Sequence, residues 1–312
     1  MEFLKNPSYD FLGKTRYFLG LSLLLVLGSI ALVAGRGLKY GVEFSGGTQL
    51  IVTFQNRPEV DRVRSAVDSV APGSTIQTYD APAKNRILIR LPHAGSEGEG
   101  ELDASADKVL KALAAKYGEN RVLDSSTEIV GPIVGAELRR KAIQLTIFGL
   151  LFQLIYIAFR FGGAAWGFGA TVAVFHDVII TVGLLALFQY EITLNVIAAL
   201  LTLVGYSVND TIVIFDRVRE NLKNRRKDSL VKIINDSVNQ TLSRTLISNG
   251  TTFLTVLGLY LFGGEVLRGF GFTMVVGIIV GTYSTIFIAC PIVIWWESFR
   301  KKQRTPAARA AL

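Results

Sequence analysis

The chain has 312 residues, half of them hydrophobic, with a mean hydropathy of +0.40 and a formal net charge of +8. Such a composition excludes a soluble catalytic domain for most of the sequence and belongs with polytopic membrane proteins. The Lys/Arg excess sits beside apolar segments, as membrane topology requires, so the charge gives no support to nucleic-acid binding. One cysteine, Cys290, lies inside an apolar run, where no intrachain disulfide is available to it.

Residues 1–16 are polar, with Lys5, Lys14 and Arg16 ahead of an apolar run from Tyr17 to about Ala34. The run is longer than the apolar core of a signal peptide and reads as a retained first transmembrane helix, 17–35, with its basic flank in the cytoplasm. Residues 36–140 change character. About a quarter are charged, 14 Lys/Arg balance 14 Asp/Glu, and no run is long enough to span. The pattern predicts strands at Thr48–Phe54, Thr75–Tyr79, Arg86–Leu91 and Arg121–Ile129, with helices at Pro58–Ala71 and Asp103–Tyr117 after a Gly95–Gly100 loop. That βαββαβ order is the order of a small α+β ferredoxin-like sandwich. His93 follows Leu91 with no second ligand at metal spacing, and Ser45-Gly46-Gly47-Thr48 reads as a tight backbone turn at the membrane-domain junction.

Five further spans follow, at Ala142–Phe159, Ala165–Phe188, Ile192–Phe215, Thr245–Phe262 and Gly269–Trp296. Their connections are short except for Asp216–Arg244, which holds eight Lys/Arg against four Asp/Glu. The tail, 298–312, is basic as well. The positive-inside rule therefore places both termini and the 216–244 connection in the cytoplasm and 36–140 outside it. Within the connection, Leu230, Ile233, Ile234, Val238 and Leu242 recur at helical spacing and predict an amphipathic helix on the membrane surface or against a partner. The run Asn224-Arg225-Arg226-Lys227 suits anionic lipid headgroups better than RNA.

Asp210 lies well inside the fourth span, about six residues or about 9 Å from its inner end. An ionised carboxylate there costs several kcal/mol unless it has a partner or a proton. Thr202, Tyr206 and Ser207 precede it at helical spacing, as a polar seam beside Asn209, and the opposite face, with Val208, Ile212 and Phe215, reads as a lipid-facing or packing surface. Arg244 stands at the mouth of the fifth span. Opposite charges in a low-dielectric setting would let a small helix movement admit or release a proton. The alternative is a packing carboxylate bonded to one neighbouring helix. His176-Asp177, in the third span, either relays protons or bonds a neighbouring helix, and Gly277–Gly281 is a GxxxG packing motif. Zincin, P-loop, nucleophile-elbow and intramembrane aspartyl-protease patterns are absent, so the sequence points to no enzyme and no cofactor.

The stretch GVEFSGGTQ (Gly41–Gln49) resembles the G-[IV]-D-F-[ST]-G-G-T signature of the SecD/SecF family, with Glu43 where Asp is usual. FHDVIIT (Phe175–Thr181), VGYSVNDTIVIFDRVREN (Val204–Asn221), QTLSRTLISNGTT (Gln240–Thr252) and LYLFGG (Leu259–Gly264) are similar to the SecF branch of that family, in family order and across nearly the whole chain. The resemblance implies an RND-type half, an α-helical polytopic membrane protein whose six transmembrane helices pair with six from SecD. It implies a bacterial cytoplasmic membrane location, association with the SecYEG channel and with YajC and YidC, and use of the proton motive force to promote preprotein export. Asp210 and Arg244 match the family's positions for proton conduction. Gly41, Glu43, Gly46 and Gly47 form its structural signature, and the extracytoplasmic domain handles the emerging polypeptide. The rival readings are an RND-type small-molecule or lipid exporter subunit and a static scaffold.

Overall fold

The computed structural model describes residues 7–79, 82–91, 99–161, 163–225 and 227–309. His93, Arg226 and most of the Gly95–Gly100 loop lie outside the described residues. A first helix, α1 (Thr15–Arg36), leads through β1 (Lys39–Tyr40) and one turn, α2 (Val42–Ser45), into the small domain. There β2 (Gly47–Phe54), α3 (Val60–Asp68), β3 (Thr75–Tyr79), β4 (Arg86–Leu91), α4 (Glu99–Lys116) and β5 (Val122–Val130) follow the predicted βαββαβ order. The sheet is antiparallel throughout, in the order β3-β4-β2-β5. Period-two alternation sends Leu50, Val52, Phe54, Ile87, Ile89 and Leu91 to one face, where Val63, Val67, Val109 and Leu113 from the two helices close over them. Each such side chain contributes about 1.5–3 kcal/mol on burial, and together they give the domain a core of its own.

The remaining chain is helical. α5 (Pro132–Phe161), α6 (Ala164–Leu187), a two-residue strand β6 (Glu191–Ile192), α7 (Leu194–Asn224) and α8 (Leu230–Phe262) lead into α9 (Gly264–Ser284). A π turn, Thr285–Ala289, joins α9 to α10 (Cys290–Arg309) as one long span. Pro291 has no N–H to give the carbonyl four residues back, at Phe287, and the π turn falls there. Among the described residues, α1, α5, α6, α7, α8 and α9–α10 are long and apolar enough to cross a membrane.

α6, α7 and α9–α10 form the buried centre, and α1 and α5 present apolar side chains such as Leu24, Leu27, Phe148 and Phe152 outward. Small residues permit the central approach. A Cβ on Gly277 would strike Leu203, and one on Gly281 would lie 3.2 Å from the Ser207 side chain, so the GxxxG motif packs α9 onto α7. At one end of the bundle the backbone of Tyr9, Phe11 and Leu12 is clamped by Asn235 and Asn239 of α8. At the other end sits the sheet domain.

One expectation is overturned and one open choice is decided. The amphipathic Leu230–Leu242 segment is no separate surface helix; it is the first part of α8. Ile233, Ile234 and Val238 are each 1% exposed and pack in one cluster with Val208, Phe215 and Val218 of α7. α7 outruns its predicted end at Phe215 by more than two turns, and that extension covers the apolar face which sequence periodicity leaves open. For the same reason the α7–α8 connection is much shorter than 216–244. Second, Val208 and Phe215 face protein, which settles the choice between lipid and packing for that side of α7.

Gly46 and Gly47 have φ of +73° and +125°, which L side chains rarely adopt, and a Cβ on Gly47 would sit 3.1 Å from the Leu91 carbonyl. The Gly47→Ala variant is expected to lose about 1–3 kcal/mol of stability, whereas Gly20→Ala, in open space on α1, should be neutral or slightly stabilising. Denaturant midpoints of the two purified variants check this, and equal midpoints would remove the backbone explanation of the double glycine.

Candidate functional site

α7 carries Asp210 into the centre, where it is 4% exposed. Asn249 of α8 donates through Nδ2 to its Oδ2. The other N–H of that amide reaches Thr282 Oγ1 on α9 (2.6 Å), and the amide oxygen accepts from the Tyr206 hydroxyl at 3.0 Å. Thr282 is free to accept because its own hydroxyl donates to the Ile278 carbonyl, 2.7 Å away. Asp210 thus sits at a joint of α7, α8 and α9.

Asp177 forms a second joint, of α6, α7 and α9. Its Oδ2 accepts from Ser207 (2.6 Å) and Ser284 (2.8 Å), and its Oδ1 lies 2.9 Å from His176 Nδ1. The His176 ring stacks on Tyr283 with centroids 6.0 Å apart, and its Nε2 is buried without a partner among the described residues. Below Ser284, Thr285 and Thr211 bond at 3.1 Å.

The predicted seam therefore divides. Ser207 serves Asp177 rather than Asp210, because three residues of helix turn the side-chain direction by about 300°, leaving the two about 60° apart and aimed at different neighbours. Tyr206 reaches Asp210 only through Asn249. Thr202 and Asn209 are exposed, and the Thr202 hydroxyl bonds back to the Ala198 carbonyl. Arg244 is likewise exposed and forms no ion pair among the described residues. It stands within electrostatic range of Asp210, but five residues separate it from Asn249, about 140° around α8, so when Asn249 faces Asp210 the arginine faces out. Asn249, Thr282 and Ser284 escaped the sequence reading. Only the depth of the Ser-Asn at 248–249 in an apolar span hints at the first of them.

Comparison with known proteins bears directly on this arrangement. A family described as protein export membrane protein SecD/SecF, C-terminal, matches residues 109–299, and the SecD/SecF GG motif matches residues 31–56. The chain belongs to the SecD/SecF family. It is 41% identical to the protein translocase subunit SecF of Calditerrivibrio nitroreducens, over 97% of this chain and 99% of the relative, and 38% identical to that of Koribacter versatilis, over 98% and 96%. The crystal structure of SecDF from Thermus thermophilus, a translocon-associated membrane protein, superposes with a TM-score of 0.80 at 36% identity, covering 94% of this chain and 39% of the longer one.

The GG-motif stretch of this SecD/SecF chain is where its two parts are fastened. β1 pairs in parallel with β6, the Gly41 N–H donates to the Ile192 carbonyl (2.9 Å), and a Cβ on Gly41 would meet Glu43 and Thr193. Arg90 of β4 grips both oxygens of Glu191 with two guanidinium nitrogens, and Lys39 Nζ lies 3.1 Å from the same carboxylate. Burial alone would raise the Glu191 carboxyl, yet Arg90 and then Lys39 overcome it and hold it below its ordinary value. Beside this clasp the helix-free face of the sheet overhangs the α6–α7 turn across a cleft of about 660 Å³ lined by Gln49, Tyr79, Glu128, Tyr190 and Arg268. Burial, and then the charge of Glu43, push the Glu128 carboxyl above its ordinary value.

A carboxyl whose folded pKa is lowered adds stability above its unfolded value, near 4.3, and loses it as the pH falls through the lowered folded value. The clasp should thus be fully engaged at neutral pH and weaken only below about pH 4. Limited proteolysis of the sheet domain over that range should show protection falling with acid in the parent chain. Glu191→Gln should be less protected at neutral pH and should respond less to acid; an identical profile in both would dismiss the clasp.

Proposed function

We propose that the chain is a SecF subunit of a Sec translocase accessory complex in the bacterial cytoplasmic membrane, pairing with SecD beside the SecYEG channel and using the proton motive force to promote preprotein export. The relatives carry the protein-translocase part of this reading, and the fusion of the corresponding halves in the SecDF of Thermus thermophilus, 38% identical over 98% of this chain, supports a SecD partner. In this reading both termini are cytoplasmic and the sheet domain is extracytoplasmic, where it meets the emerging polypeptide.

One observation carries the proton reading: a nearly buried carboxylate, Asp210, sits beside outward-facing polar groups at span depth. Thr202 and Asn209 on α7, with Arg244, Ser248, Thr251 and Thr255 on α8, are exposed in the single chain. Thr202, Thr251 and Thr255 return their hydroxyls to their own helices, but Asn209 and Arg244 have no such partner among the described residues, so this surface needs a second bundle or water against it. A SecD half laid there would enclose Asp210 and Arg244 in one wetted interface. His176 and Asp177 anchor the neighbouring joint and pass α7 movements to α6.

A proton crossing the field is worth about 2.3 kcal/mol per 100 mV, comparable with the few kcal/mol that separate conformations of a domain pair. Protonation of Asp210 weakens the α7–α8–α9 joint, the helices shift, and the sheet domain follows through the Glu191 clasp. Asp210→Asn is expected to abolish proton-dependent stimulation of export while leaving co-purification with SecD unchanged. Precursor translocation into vesicles with an imposed gradient measures the first, and affinity capture of the pair measures the second. Normal stimulation by the variant would end the proton reading, and loss of capture would make Asp210 a packing residue.

A further inference from the structure

We propose that Asn249 is the positioning residue for Asp210: its amide holds Oδ2 and leaves Oδ1 as the atom that takes the proton. The inference rests on the reading of Asp210 as a proton carrier and adds which oxygen is loaded and what senses the loading. Among the described residues Oδ1 of Asp210 receives no hydrogen bond, nor is it sealed from solvent as His176 Nε2 is. Both N–H groups of Asn249 are committed, one to Asp210 and one to Thr282, and its oxygen is committed to Tyr206. Turning the amide over would set its oxygen against the Asp210 carboxylate and against Thr282, whose hydroxyl hydrogen is already given to Ile278. An ionised Asp210 therefore locks one orientation.

The consequence is directional. While Asp210 is ionised, the Asn249 bond is charge-assisted; once a proton sits on Oδ1 it becomes a neutral bond of about half the strength. Asn249 is 5% exposed and spans α7, α8 and α9, so a change in that single bond is felt by three helices at once. Arg244 faces away from the joint within this chain and has no such reach. Asn249 is the in-chain sensor of the charge on Asp210.

The test is infrared difference spectroscopy of the full chain, reconstituted in lipid with its proposed SecD partner, between alkaline and acidic pH. The carbonyl stretch of protonated Asp210 is the band that disappears in Asp210→Asn. Loss of the Asn249 donor in Asn249→Leu should move that band to higher wavenumber, as a freed carbonyl does. Tyr206→Phe, which releases the amide oxygen but keeps the Asn249 donor, should move it the same way by less. Should Asn249→Leu fail to fold, Tyr206→Phe carries the test. A band that stays in place in whichever variant folds overturns the role of Asn249. Absence of any Asp210-dependent band in the parent chain overturns the proton-carrier reading itself, so the two failures are told apart.

Discussion

The hydrogen bond from Asn249 to Asp210 is the interaction on which the membrane part of this molecule turns. A carboxylate in the centre of a helical bundle must be answered by donors, because hydrocarbon supplies none and the cost of leaving it bare exceeds what a single packed side chain returns. Asp177 is answered completely, by Ser207, Ser284 and His176. Among the described residues Asp210 is answered on one oxygen only. In the proposed reading that difference in donors, together with the deeper burial of Asp177, separates an anchor from a group that changes state.

The two joints share helices. Ser207 and Asp210 are three residues apart on α7, and Gly281, Thr282 and Ser284 follow one another on α9. Gly281 leaves room for the Asp177 cluster, with its place for a Cβ only 3.5 Å from Asp177 Oδ2, while its neighbour Thr282 belongs to the Asp210 joint. A displacement of α9 at Thr282 therefore cannot leave Ser284 where it was. Close packing makes such a unit move between discrete arrangements rather than bend continuously.

What the sequence made legible follows from range. The sheet domain was readable because strand alternation and helix periodicity are local, and all six of its elements fall within a few residues of their predicted places. The six spans were readable from length and hydropathy, and Asp210 from the expense of its position. Partner choice was not. Ser207 was assigned to the wrong carboxylate because helical spacing gives proximity along one helix but not the identity of the helix opposite. Arg244 is legible as a partner and Asn249 is not, because opposite charges announce themselves in a sequence and an amide among Ser and Thr does not. The apolar face of Leu230–Leu242 reads as membrane-surface or partner contact because nothing local shows that α7 continues to Asn224 and covers it. Periodicity identifies a face that must be buried and is silent about what buries it.

The same limit hid the clasp, and the clasp makes the mechanics coherent. Glu191 stands between α6, which bears Asp177, and α7, which bears Asp210, and it is held by Arg90 from a strand about a hundred residues earlier in the chain. A partly buried charge held this way gains its strength from geometry. With both oxygens gripped by the guanidinium, movement of the sheet domain away from the α6–α7 turn would strip the carboxylate of both Arg90 bonds at once and leave it only Lys39, which β1 holds opposite it. The two parts of the molecule are thus joined at the turn connecting the helices that carry its buried acids. In the proposed mechanism a rearrangement of α7 against α6 would reach the sheet domain at that point, with no long lever required.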